Sequence, residues 1–71
     1  MDETKIKVGD DLKIWITGMV GDFRARCVEL DERRRGRPIL EVLDKETGEP
    51  DKSWAMKLKD GDYGVHSLWS E

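Results

Sequence analysis

Residues 11–17, DLKIWIT, alternate without a break: Leu12, Ile14 and Ile16 fall on one side and Lys13, Trp15 and Thr17 on the other. A period of two marks a strand with one buried face, and it denies a helix any continuous apolar stripe. After GMVG the same period returns in DFRARC, residues 22–27, where Phe23, Ala25 and Cys27 alternate with Arg24 and Arg26. Two such runs on either side of a glycine-bounded loop predict a hairpin. With Thr17 and Asp22 flanking the loop, Ile16 opposes Phe23, Ile14 opposes Ala25 and Leu12 opposes Cys27. Trp15 then faces Arg24, and Lys13 faces Arg26, on the other side of the sheet.

Past Cys27 the phase inverts, because Val28 and Leu30 are apolar while Glu29 and Asp31 are not. A bulge or sharp bend near Cys27 and Val28 accounts for the change. Leu30 and Val28 then oppose Leu40 and Val42 of a third strand, PILEVLD, residues 38–44, and the arginine-rich segment between them becomes a hairpin tip. DKETGEPD, residues 44–51, carries the breakers Gly48 and Pro50 and reads as a turn. KSWAMKL, residues 52–58, sets Trp54, Met56 and Leu58 on one face, with Val42 opposite Trp54 and Leu40 opposite Met56. KDGDYG, residues 59–64, suits a turn holding one turn of 3-10 helix, and VHSLW forms a last short strand. The longest stretch without Gly or Pro, residues 22–35, alternates, so no helix of useful length is expected.

These elements predict an all-β fold: a small, five-stranded, strongly bent antiparallel barrel over about residues 6–69, preceded by a short charged N-terminal tail. Strand count and spacing resemble the SH3-like architecture, with an OB-like barrel as the competing closure. An architecture shared by so many proteins implies no function by itself.

A chain of 71 residues makes a single domain with little room for a deep active-site cavity, so a shallow surface is the expected working part. Its formal charge of −3 gives no whole-molecule attraction for nucleic acid or anionic membrane, and any anion binding must be local. MDETKIKVGDD lacks the apolar core of a signal peptide and no run reaches transmembrane length, which points to a cytoplasmic protein without a membrane partner. One cysteine allows neither an internal disulfide nor a cysteine-based zinc site. No metal-loop, phosphate-loop or dinucleotide motif calls for a cofactor. Cys27 and His66 have no evident orienting group or oxyanion site beside them, so catalysis is not expected.

Three features can carry binding. Arg33, Arg34, Arg35 and Arg37 crowd around Gly36, and guanidinium groups at a flexible tip pair well with phosphates. The same tip also reads as a solvated turn, with Asp31 and Glu32 partly neutralising it and its charge keeping sheet edges apart. The outer face of the first hairpin combines Trp15 with Lys13, Arg24 and Arg26, a stacking platform beside positive charge of the kind single-strand binders use. Those residues equally make an ordinary structural cation–π pair. Leu68 and Trp69 lie in the last short strand, where Trp69 either closes the core or, with Leu68, anchors a partner.

Arg33 and Arg37 have R-x-x-x-R spacing, and Asp51 and Ser53 make D-x-S, so these positions resemble fragments of the cyclic-di-GMP-binding PilZ motifs. The resemblance implies nucleotide sensing. Met56 stands where that family's final glycine belongs, the gap between the fragments is short, and the arginines fall inside the barrel instead of ahead of it. The leading expectation is a non-catalytic interaction or assembly module that binds a protein partner or its own copy. The alternative is a barrel that binds RNA or DNA through the arginine tip and the Trp15 face.

Overall fold

A computed structural model describes residues 5–70. Among them the chain is all-β, with four strands: β1 Asp11–Ile16, β2 Phe23–Asp31, β3 Arg37–Leu43 and β4 Tyr63–Leu68. They form one antiparallel sheet in the order β3-β2-β1-β4. No α-helix forms among the described residues, and none is long and apolar enough to cross a membrane.

The alternation of β1 is realised, with Leu12, Ile14 and Ile16 buried and Lys13 and Trp15 exposed. The first hairpin differs from expectation by a slip of two residues: Ile14 lies opposite Phe23 and Leu12 opposite Ala25. Thr17 causes the slip. Its N–H donates to the Asp62 carbonyl at 2.9 Å and its hydroxyl to the Gly61 carbonyl at 3.1 Å, so it leaves the hairpin and residues 17–22 make a wider loop. Because the side-chain period is two, a two-residue slip changes every partner but no face.

Between β2 and β3 the bulge appears where the phase inverts. Cys27 faces Leu40 and Glu29 faces Ile39, which leaves Val28 as the extra residue. Beyond it Leu30 faces Pro38, again two residues from the expected partner. The segment before β1 stays on β2 at this point: Gly9 N–H donates to the Cys27 carbonyl at 2.7 Å and Cys27 N–H to the Asp10 carbonyl at 3.0 Å.

The expected strand over residues 52–58 does not form. Contact with β3 shrinks to two bridges, Leu43 with Pro50 and Leu40 with Leu58, and Met56 is exposed. Asp51 coils the segment: its carboxylate accepts from the Ser53 N–H at 2.9 Å and the Ser53 hydroxyl at 2.7 Å, and its carbonyl accepts from the Trp54 N–H at 3.0 Å. These local bonds replace a ladder. Trp54 packs edge-on against Phe23, with ring centroids 6.0 Å apart, and does not face Val42.

The inner face of the sheet forms the core around Leu12, Ile14, Ala25, Cys27 and Leu40, closed by Ile6, Leu58 and Val65. Full burial of a Leu or Ile side chain contributes about 1.5–3 kcal/mol. The sheet is open but curled. Tyr63, on one outer strand, donates its hydroxyl to the Pro38 carbonyl on the other at 2.5 Å.

Candidate binding surface

The outer face gathers Asp11, Lys13 and Trp15 from β1, Arg24 and Arg26 from β2, and Gly64 and His66 from β4. Trp15 lies opposite Gly64, and its ring covers the glycine so closely that a Cβ there would sit 1.8 Å from a ring carbon. Glycine is required at this position by close approach, and the ring replaces the side chain that β4 lacks. The His66 ring lies 4.8 Å from the Trp15 ring at 60°. Its Nε2 is 3.0 Å from Oδ1 of Asp22, while Lys13 Nζ is 3.6 Å from Oδ2 of the same carboxylate. Trp15, His66, Lys13 and Asp22 therefore form one exposed cluster. His66 and Asp22 were not legible as members from local patterns, because the pairing of β1 with β4 brings them together.

Arg24 sits differently from the expected surface cation. It is 8% exposed, and its Nε reaches both carboxylate oxygens of Asp11 at 3.0 Å while Nη2 reaches Oδ2 at 2.5 Å. Nη1 donates to the Lys45 carbonyl at 3.3 Å, and the guanidinium lies 5.1 Å from the centroid of the Trp69 ring. Its charge is thus engaged within the protein. Arg26 is half-buried and donates to the Gly48 carbonyl at 3.3 Å. Trp15 does not face Arg24; Lys13 does.

The arginine tip is a 3-10 turn, Glu32–Arg34, capped by Asp31. The Asp31 carboxylate accepts from the Arg33 N–H at 3.1 Å and lies 3.9 Å from Arg34 Nε, and the Asp31 carbonyl accepts from the Gly36 N–H at 2.9 Å. Arg35 adopts a left-handed conformation with φ 59°, as does Gly36 with φ 73°. Arg33, Arg34 and Arg35 are exposed, while Arg37 is half-buried opposite Asp31. The shallow hollow at this end is lined by Glu29, Leu30, Asp31, Glu32 and Arg33, so three carboxylates border it.

Trp15 lies beside the loop that opens β2 and packs on Gly64 of β4, whereas the tip closes the other end of β2 against β3, so the two belong to different hairpins. The PilZ-like fragments are likewise apart: Arg33 is on the tip, while Asp51 and Ser53 occupy the turn beyond the far end of β3. Leu68 is 53% exposed at the end of β4, whereas Trp69 is partly buried over Arg24 on the outer face and lies outside the core.

Cys27 and His66 occupy opposite faces and make no pair. The Cys27 thiol is buried, donates to the Glu29 carbonyl at 3.4 Å, and has its pKa raised by burial. Among the described residues no group of His, Cys, Asp or Glu side chains is arranged to hold a metal ion.

β4 itself is the remaining element of the surface. It forms one edge of the sheet and contains no Asp, Glu, Lys or Arg. Its Asp62 and Trp69 flanks bond β1, through Thr17 N–H to the Asp62 carbonyl and Trp69 N–H to the Asp11 carbonyl. Antiparallel alternation from those bonds, with the register shift between Lys13 and Ile14 placing the extra β4 residue at His66, turns the backbone groups of Val65 and Leu68 away from β1. No protein-family model matches the chain, and neither does any curated protein or solved structure.

Proposed function

We propose that the protein is a non-catalytic interaction module that accepts a strand of a protein partner along β4, with Trp15 and His66 as the adjoining anchor. The observation that carries this reading is an edge strand without Asp, Glu, Lys or Arg lying beside an exposed tryptophan. Strand addition draws affinity from main-chain hydrogen bonds and specificity from alternate side chains, and aromatic residues dominate binding energy where they are buried by a partner. The contact between Tyr63 and Pro38 and the bridge between Leu40 and Leu58 support a finer description as an SH3-like barrel in which the strand expected over residues 52–58 is reduced to a bridge. A single buried free thiol suits a reducing, cytoplasmic setting.

The nucleic-acid alternative has weaker support. Arg24 is committed to Asp11, and the exposed arginines belong to the β2–β3 tip while Trp15 packs on β4, so the stacking platform and the charge are on different elements. A peptide display selection against the wild-type chain, counter-selected with Leu68→Lys, tests the leading reading. Extended apolar peptides that bind the first and not the second are the expected result, and a selection yielding no such peptides would overturn it. In parallel, short single-stranded RNA and DNA are titrated at two salt concentrations with tryptophan fluorescence. Salt-sensitive quenching that disappears when Arg33, Arg34, Arg35 and Arg37 are neutralised would move the function to the tip.

A further inference from the structure

We infer that the strand accepted by β4 is β4 of a second copy of this chain, paired antiparallel about a two-fold axis into a closed dimer. The inference rests on the reading of β4 as the binding edge and names its occupant.

The first argument is the number of open edges. The sheet has two outer strands, β3 and β4. Residues 50–58 cover β3: Leu40 and Leu58 exchange hydrogen bonds of 2.9 and 2.8 Å, and the Asp51 N–H donates to the Val42 carbonyl at 2.9 Å. Of these two outer strands, β4 is left to extend the sheet, through the outward backbone groups of Val65 and Leu68. An edge paired with its own copy about a two-fold axis is used on both molecules at once, so this contact closes at two.

The second argument is charge. Edge strands are usually blunted by lysine, proline or an inward-pointing charge, and β4 has none of these in a chain in which charged residues make up 41%. A strand from a comparably charged protein would bring ionised groups that lose water against β4 without finding partners there. A second β4 brings no Asp, Glu, Lys or Arg, and its one ionisable side chain besides the buried Tyr63, His66, already lies against Asp22 of its own chain.

The third argument is shape. Leu68 faces the same side of the sheet as Tyr63, since Leu68 opposes Leu12 and Tyr63 opposes Ile16, yet Leu68 is 53% exposed while Tyr63 is buried. Antiparallel pairing lays the Leu68 end of each copy against the facing β4, which takes Leu68 partly out of water. The bulge at His66 twists the edge and divides the ladder, so the interface is short and the association depends on concentration.

Sedimentation equilibrium of the full chain from micromolar to millimolar concentration tests this, alongside hydrogen exchange at the Val65 and Leu68 amides. Leu68→Lys places a charge on the edge at an exposed position, and Val20→Lys is the control on the first loop, where Val20 is 99% exposed. The expected result is a wild-type dimer with both amides slowed, a dissociation constant raised at least tenfold by Leu68→Lys, and no change with Val20→Lys. A wild type that stays monomeric to millimolar concentration overturns the second copy as occupant, while the peptide selection still decides whether β4 takes a foreign strand. A dimer indifferent to Leu68→Lys overturns the inference by excluding β4 as its interface.

Discussion

Arg24 joins three parts of the chain that are distant in sequence: Asp11 on β1, the Lys45 carbonyl in the turn after β3, and Trp69 after β4. Replacing it by lysine keeps a positive charge but loses the planar fork that satisfies both Asp11 oxygens and a carbonyl, so Arg24→Lys is expected to cost about 1–3 kcal/mol, measured by urea unfolding. Trp15 and Gly64 form a second coupled pair. Gly64→Ala pushes the ring off the sheet and is expected to destabilise by about 1–3 kcal/mol, with a red shift in tryptophan emission. In a Trp15→Ala background the same change should cost much less, which a double-mutant cycle reads directly. Cys27 gives a pH dependence. Burial raises its folded pKa, so an unfolded chain loses the thiol proton first. Stability from this group is complete below the ordinary thiol pKa and declines as pH rises from there through the raised one. Alkylation at pH 8 should therefore be slow in the folded protein and fast in denaturant.

Strand identity and facing were legible because a period of two specifies them, and registers were not, because loops set them. Both hairpins slipped by two residues while every β1 side chain kept its face, a result of Thr17 bonding to the 59–62 turn and of the exact position of Val28 in the bulge. The strand expected over residues 52–58 had a sound alternation, but Asp51 and Ser53 offered the backbone local partners that outcompeted a ladder. That turn can be tested by titration. Hydrogen bonds from Ser53 lower the Asp51 pKa, so the bonds are intact above the lowered value and weaken as pH falls through it. Ser53→Ala should move the Asp51 titration, followed by carboxyl carbon shifts, back toward the ordinary aspartate range.

Seen across the whole molecule, the arginine tip joins β2 to β3 while the Trp15 cluster joins β1 to β4, so the two are built by different strand pairs. Replacing Arg33, Arg34 and Arg35 by Gln should change unfolding free energy by less than about 1 kcal/mol, since all three are exposed and the Arg34–Asp31 ion pair, at 3.9 Å, is a surface one. The candidate surface was half readable in the sequence. Trp15 followed from local alternation, whereas His66, Asp22 and the edge character of β4 depend on which strand pairs with β1, a choice that local patterns do not encode. That pairing also has a consequence in time. β1 lies near residue 14 and its outer partner near residue 65, so the last ladder of the sheet needs nearly the whole chain to be closed into a loop. The two consecutive hairpins can form while synthesis is still under way, but until Leu68 has emerged the unpaired side of β1 and the core beneath it are open to other nascent chains. The stage most vulnerable to misassociation is therefore the interval between completion of β3 and arrival of β4, and slowing translation across residues 44–62 would lengthen it.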